Sequence, residues 1–145
     1  MSAEERLYSL AAQLKTLEAY LNELIAREST ILRFISDARL VMDAISGLAS
    51  VGDDVYALLP LGIGVYVHAK VSTKDKLLVS IGSDVAIEKS KDDAISYIEN
   101  RVKELENALV ALNNQKQEIQ MRIEGTRSEM NSILKSVQSK GQMSK

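Results

Sequence analysis

The sequence predicts an α+β fold in which a long antiparallel coiled-coil helical hairpin carries a central four-stranded insert of two β-hairpins. Two long stretches with apolar residues three and four positions apart predict the helices. Between them, Val, Ile and Tyr alternate with other residues, and Gly, Ser, Asp and one Pro interrupt the runs, as in strands and turns. We expect one domain with a helix at 3–47, β-hairpins at 53–89, a helix at 91–138 and a disordered tail at 139–145.

The composition narrows the class of protein. The chain has 145 residues, 46% hydrophobic but only 4% aromatic, which suits helix seams better than a compact enzyme core. A net charge of −2 gives no general attraction for nucleic acid. No cysteine is present, no stretch approaches the ~18 apolar residues of a membrane span, and the first residues do not resemble a signal peptide. We therefore expect a cytoplasmic protein without nucleic-acid or membrane partners.

The first helix is predicted by a capping box, Ser2 with Glu5, and by an unbroken heptad. Gly47 suits a helix stop. At 1.5 Å per residue this helix is about 65 Å long, too long for a compact domain, so it must project. The stripe widens toward the insert through Leu32, Phe34, Leu40 and Val41, which predicts that the base packs into a larger body. The seam positions are Leu7, Leu10, Leu14, Leu17, Leu21, Leu24, Glu28, Ile31, Ile35, Ala38, Met42 and Ile45.

The insert contains four predicted strands, near Val55–Leu59, Val65–Val71, Leu77–Ile81 and Val85–Ile87, with turns at Leu61-Gly62-Ile63-Gly64 and Gly82-Ser83. Isolated hairpins are marginal in water, and exposed strand edges invite pairing with another chain. We expect the hairpins to join those of other subunits; the alternative is that they fold over the helix bases in a monomer. The expected oligomerisation residues are Val55, Ala57, Leu59, Val65, Val67, Ala69, Leu77, Val79, Ile81, Val85 and Ile87.

The second helix begins with Ser90 and Asp93 as a further capping pattern. Gly125 marks a weak point in its outer half. An antiparallel register brings Leu10 near Met130 and places Glu28 about one turn from Lys116. These two charges either pair and define the register or each reach water separately. The heptad positions are Ile95, Ile98, Val102, Leu105, Leu109, Leu112, Lys116, Ile119, Ile123, Thr126, Met130, Ile133 and Val137.

No set of residues with catalytic chemistry is apparent. His68 is the only histidine and has no partner for a metal site. Gly62-Ile63-Gly64 lacks the further features of a nucleotide-binding loop and indicates a turn. The pairs Asp53-Asp54 and Asp92-Asp93 are typical of helix caps or solvated ends. We therefore predict that the protein is not an enzyme and uses no cofactor.

One group of apolar residues remains, at the free end of the coiled coil. Adaptable Leu and Met side chains at fraying helix ends suit promiscuous contacts with other proteins. The alternative is that these residues only complete the helix seam. The group comprises Leu7, Tyr8, Leu10, Leu14, Met130, Ile133, Leu134 and Val137.

Two heptad helices around this insert resemble the alpha-type subunit of prefoldin. The most specific part is LLPLGIGVYVHAKV followed by KLLVSIGSDVAIEKS, since heptads alone occur in any coiled coil. The resemblance implies a hexamer of two alpha-type and four beta-type subunits, with a β-barrel body and projecting coiled coils. It further implies that unfolded proteins are held at the tips without ATP and passed to a group II chaperonin.

Two other functions compete with this hypothesis. A coiled-coil scaffold would bind one dedicated protein partner and would not protect unrelated unfolded proteins. A helical hairpin that binds nucleic acid would need a basic stripe, whereas Lys and Arg are interspersed with Glu and Asp here.

Overall fold

Two long helices and two β-hairpins make up the computed structural model, which describes residues 2–143. The predicted fold class is confirmed. The chain divides into two compact units that are named by their place in the sequence: the outer unit contains the helix parts up to Leu32 and from Glu106 onward, and the inner unit is the middle of the chain, Arg33–Leu105. In order, the elements are α1 (Ala3–Ser50), β1 (Asp54–Gly62), β2 (Val65–Ser72), β3 (Leu77–Gly82), β4 (Val85–Lys89) and α2 (Lys91–Met143).

Both helices begin at the predicted caps. The Ser2 backbone N–H donates to Glu5 Oε2 at 3.2 Å, and the Glu5 N–H donates to Ser2 Oγ at 3.1 Å. In α2, the Asp93 N–H donates to Ser90 Oγ at 3.1 Å. Each bond satisfies a backbone donor that has no partner inside the helix, which explains why both helices start where they do.

Both helices end later than predicted. Gly47 stays inside α1, where its carbonyl accepts from Ser50 Oγ at 2.8 Å, and it is Gly52, at φ 83°, that adopts the left-handed conformation after the helix. A stop at Gly47 is therefore wrong. α2 continues to Met143, so 139–143 are helical rather than disordered, because this stretch contains no Pro and one Gly costs only about 1 kcal/mol. Residues 144–145 of the predicted tail lie outside the described part of the chain.

The outer unit is a two-helix coiled coil whose seam is apolar. Leu24 is 0% exposed and forms a cluster with Leu112, Ile119 and Ile123 of α2. The seam residues Leu14, Leu17, Leu21 and Ile31 pack against this cluster. The heptad read from the sequence is thus the buried face of both helices in this unit.

Three ion pairs across the outer unit show that the helices run antiparallel, because the partners' numbers rise along α1 and fall along α2. Arg6 pairs with Glu129 at 2.6 Å, Glu18 with Arg127 at 2.7 Å, and Glu28 with Lys116 at 2.9 Å. The first two pairs are largely exposed, and such pairs contribute at most about 1 kcal/mol each. The Glu28–Lys116 pair occupies seam positions, with side chains only 28% and 18% exposed. Of the two possibilities for these seam charges, the structure therefore shows pairing.

We expect Lys116→Leu to destabilise the coil by about 1–2 kcal/mol, because it leaves the Glu28 carboxylate unpaired at a half-buried position. The double variant Glu28→Leu with Lys116→Leu should recover this loss, since it replaces both charges with apolar contacts. Urea unfolding of the wild type, of each single variant (Lys116→Leu and Glu28→Leu) and of the double variant measures the coupling free energy between the two side chains. If the single and double variants are equally destabilised, the destabilisation does not come from an unpaired charge, and the prediction is wrong.

Each hairpin of the inner unit is an antiparallel pair with a two-residue turn. β1 pairs with β2 from Asp54↔Ser72 to Gly62↔Val65, and β3 pairs with β4 from Leu77↔Lys89 to Gly82↔Val85. A register shift precedes each turn, where the glycine takes a positive φ of 123° in the first hairpin and 103° in the second. The turn residues are therefore Ile63-Gly64 and Ser83-Asp84, so the second turn lies one residue later than Gly82-Ser83.

Thr73 anchors the base of the first hairpin. Thr73 is the one polar residue that is buried among the residues that the structure describes, and its hydroxyl donates to the Gly52 carbonyl. Its backbone N–H donates to the Asp53 carbonyl at 3.0 Å, and Lys74 pairs with the Asp53 carboxylate at 3.2 Å. These bonds connect the end of β2 to the segment that leaves α1. Across residues 2–143, neither helix is apolar enough over a sufficient length to cross a membrane.

Candidate functional site

The first candidate surface lies at the helix ends of the outer unit; its eight predicted residues are called the tip surface. The structure divides them by exposure. Tyr8 is 83% exposed, and Leu134 and Val137 are exposed as well, whereas Leu10 is 1% exposed and belongs to the seam. The others are half-buried: Leu7, Leu14, Met130 and Ile133. Some members of the group therefore complete the seam, and the others face solvent.

Charged residues frame the tip surface. Arg6 binds the Glu129 carboxylate through both Nε, at 3.0 Å, and Nη2, at 2.6 Å, which joins α1 to α2 near their ends. Next to this ion pair, Ala3 and Arg6 of α1 face Ile133, Val137 and other residues of α2 across a shallow cleft of about 390 Å³. Of the exposed apolar residues, Val137 lines this cleft, together with the polar residues Ser136 and Lys140.

The second candidate surface consists of both hairpins of the inner unit and is called the hairpin surface. Of its predicted residues, Val55, Ala57, Ala69, Leu77 and Val79 are half-buried within the single chain. The others are exposed: Leu59, Val65, Val67, Ile81, Val85 and Ile87. Each hairpin forms its own two-stranded sheet, so the outer edges of β1, β2, β3 and β4 pair with no other strand of the described chain.

The opposite face and the first turn are also apolar, which the sequence prediction missed. Tyr56, Leu58 and Tyr66 project from the other face of the first hairpin and are more exposed than most predicted residues. Leu61 and Ile63 add to this surface at the turn. One signal could have revealed it: no Asp, Glu, Lys or Arg occurs from 55 to 69. A strand with one solvated face normally carries charge on alternate residues, so an uncharged run indicates that both faces become covered.

The polar residues of the hairpins face solvent or form ion pairs. His68 is exposed and lies opposite Leu58 in the register. Asp54 pairs with Lys70 at 3.3 Å, so Asp53 and Asp54 form ion pairs at the base of the first hairpin rather than capping a helix. Among the residues that the structure describes, no group of three His, Cys, Asp or Glu side chains could hold a metal ion.

Comparison with protein families matches 3–136 to the Prefoldin family, described as prefoldin subunit. This chain belongs to the prefoldin family. Among its relatives, the prefoldin subunit alpha of Nitrosopumilus maritimus is 34% identical and covers 97% of this chain and 96% of its own. That of Methanocorpusculum labreanum is 32% identical, with coverage of 90% and 93%. These relatives place the chain in the alpha class of prefoldin and make it a chaperone subunit.

Solved prefoldin structures have the same fold. The filamentous PFD of Methanocaldococcus jannaschii, determined by cryo-electron microscopy, is 27% identical with a TM-score of 0.55, covering 87% of this chain and 98% of its own. The prefoldin beta subunit of Thermococcus strain KS-1 has the same TM-score at 15% identity, covering 87% and 90%, and supports the fold alone. The prefoldin resemblance inferred from the hairpin segments is thus confirmed.

Proposed function

We propose that this chain is the alpha-type subunit of a cytoplasmic hetero-hexamer, two alpha and four beta, that holds non-native proteins at its coiled-coil tips. Holding needs no nucleotide, and the client passes to a group II chaperonin. The observation that carries the proposal is the exposure of Tyr8, Leu134 and Val137 at the ends of two helices whose other seam residues are buried or half-buried. Apolar side chains that complete no seam are available for contacts with unfolded chains.

Weak contacts at several tips are sufficient for holding. Burying one large apolar side chain contributes about 1.5–3 kcal/mol, which is too little for stable binding on its own. When several tips contact one client, the later contacts become intramolecular and avidity rises by about 10²–10⁴. Each individual contact still breaks readily, so release requires no ATP.

Assembly through the hairpin surface follows from its exposed edges and its apolar faces. Two-stranded sheets are marginal alone, and a closed β-barrel built from several chains removes every free edge. The hairpin surface supplies apolar residues on both faces, as a barrel wall covered from inside and outside requires. A barrel body also accounts for the apolar residues Phe34, Leu40 and Val41 of α1, which the single chain leaves exposed.

The experiment that tests the proposal is aggregation of a chemically unfolded, unrelated protein, followed by light scattering without nucleotide. This chain is mixed with a candidate beta-type subunit, and light scattering of this mixture without client confirms that the hexamer forms. We expect suppression at a near-stoichiometric ratio of hexamer to client. A confirmed hexamer that does not suppress aggregation would favour a scaffold for one dedicated partner.

A further inference from the structure

The charges of the chain are distributed unevenly, and the difference lies at the end of α2. Up to Glu129, acidic and basic residues occur together along both helices of the outer unit. From 130 to 145 the sequence contains three lysines, Lys135, Lys140 and Lys145, and no Asp or Glu. The net charge of −2 for the whole chain therefore leaves −5 for residues 1–129. A positive segment thus ends a chain that is otherwise negative.

Two of these lysines belong to the described part of α2 and are available to a ligand. Lys135 and Lys140 are exposed, and neither forms an ion pair with another described residue. Carboxylates near the same end of the coil are engaged elsewhere, because Glu129 binds Arg6 and Glu5 accepts the N–H of the first capping residue. The two lysine charges are therefore not neutralised within the chain.

Both lysines lie beside exposed apolar residues of the tip surface. Lys140 lines the shallow cleft together with Ile133 and Val137, and none of the described residues that line this cleft is acidic. Val137 and Lys140 are three positions apart, so they are neighbours on one face of α2. Lys135 directly follows Leu134, the other exposed apolar tip residue of this helix. Each exposed apolar residue at the end of α2 thus has a cation nearby.

The two ordinary roles of lysines on a helix do not account for this pattern. A cation in the last turn stabilises the negative end of a helix, and Lys140 lies there. However, α1 ends without a basic residue in its last turn, and Lys135 lies about two turns before Met143, where this effect is weak. Solubility would be served equally well by acidic residues. Charge of one sign beside an apolar surface therefore indicates recognition of a ligand.

From this arrangement we infer that the end of α2 prefers non-native protein segments that combine apolar with acidic residues. The inference rests on the proposed function, because it specifies which clients the tip surface binds. Exposed charges interact over about 8 Å at physiological salt, so Lys135 and Lys140 attract carboxylates that lie next to an apolar residue bound at the tip. The net negative charge of residues 1–129 repels the same segments from the rest of the chain and directs them to the tip.

Peptide binding to the assembled hexamer tests this preference. Three labelled, unstructured peptides share the same apolar residues and carry Glu, Ser or Lys at the same remaining positions. By fluorescence anisotropy at low salt, we expect the Glu peptide to bind about fivefold more tightly than the Ser peptide, because several exposed charge pairs add. The Lys peptide should bind most weakly, and about 0.5 M salt should largely remove the differences. Equal affinities for all three peptides at low salt would overturn the inference.

The double variant Lys135→Glu with Lys140→Glu assigns the preference to this chain. It should weaken binding of the Glu peptide, relative to the Ser peptide, about threefold or more. Lys135→Gln with Lys140→Gln keeps the helix propensity and should give a smaller loss in the same direction. The matched control, Lys15→Glu with Lys103→Glu, changes the net charge equally at two exposed helix positions away from the tip and should leave the ratio unchanged. An unchanged ratio in both tip variants, or an equal loss in the control, would overturn the inference.

A fourth peptide distinguishes this preference from a general affinity for anions. It keeps the Glu residues but carries Ser in place of every apolar residue, and we expect it to bind about tenfold more weakly than the Glu peptide. Equally tight binding would mean that the lysines form a general polyanion site, such as one for nucleic acid, and would overturn the inference.

These outcomes are separable from the proposed function. If the three apolar peptides bind equally well, the charge preference is wrong and the holding function stands. If the Glu peptide is preferred but the hexamer suppresses no aggregation, the preference is correct and the holding function is wrong. If the hexamer binds none of the peptides and suppresses no aggregation, both are wrong.

Discussion

The triple variant Tyr8→Ser, Leu134→Ser and Val137→Ser is expected to lose suppression of client aggregation while keeping its fold and its assembly. These three residues are the exposed members of the tip surface, so their replacement removes apolar area without opening the seam. Leu10, in contrast, is buried, and changing it would confuse loss of binding with loss of the coiled coil. The structure thus allows a more selective test than truncating both helix ends.

The expected effect is large because the apolar side chains are removed from every alpha-type tip. Three large apolar side chains lose about 1.5–3 kcal/mol of possible burial each, and avidity multiplies the loss when several tips contact one client. We expect at least about tenfold more hexamer to be needed for half-maximal suppression. Light scattering of a chemically unfolded protein measures this ratio, and circular dichroism and sedimentation confirm fold and assembly.

The matched control is the triple variant Ile25→Ser, Val110→Ser and Met121→Ser. These residues are also exposed and apolar and also belong to the helices of the outer unit, but they lie away from the tip. The control therefore reproduces the loss of apolar area and of helix propensity. Equal loss of suppression in both variants would mean that clients bind along the coil rather than at the tip surface.

The variant Leu24→Ala is expected to lower the free energy of unfolding by about 3 kcal/mol. Leu24 is fully buried in the cluster with Leu112, Ile119 and Ile123. Leu→Ala substitutions in cores cost about 2–5 kcal/mol, because transfer free energy is lost and the cavity collapses only partly. A two-helix coil has few other layers to compensate. Urea unfolding followed by circular dichroism measures the change.

Ile25→Ala is the control for this substitution, because Ile25 is the adjacent residue and projects from the exposed side of α1. This substitution should lower the free energy of unfolding by less than about 1 kcal/mol, since exposed side chains contribute little to stability. Similar destabilisation of both variants would contradict the assigned seam and would indicate that α1 is rotated relative to the buried face described above.

Helices, strands and pairings could be predicted because each depends on short-range periodicity. Leu24 and Leu112 fall on heptad positions, and the heptad spacing places each of them on the buried face of its helix. The hairpin partners follow from turn spacing, and the caps at Ser2 and Ser90 from a pattern of four residues. The helix stops were less predictable, because Gly47 is tolerated inside a helix and only the backbone at Gly52 shows where the chain turns.

The division of the tip surface could not be predicted from the sequence. Leu7, Tyr8 and Leu10 are all hydrophobic and lie within four positions, and their exposure depends on the rotation of α1 against α2 at its end. The Arg6–Glu129 contact that joins the helices there spans 123 residues along the chain, so no local pattern contains it. Thr73 is a similar case, because its role comes from carbonyl groups on a distant segment.

By itself, the sequence determined the fold class, the order of elements and the buried seam, because periodicity, caps and turn residues act over a few positions. The family followed from the resemblance of the hairpin segments. Only the tertiary structure decided which apolar residues remain exposed, that Glu28 pairs with Lys116, and that Ile63 is strained in an exposed turn. Exposure and pairing depend on which atoms approach from distant parts of the chain, and backbone strain depends on the φ that the hairpin register imposes.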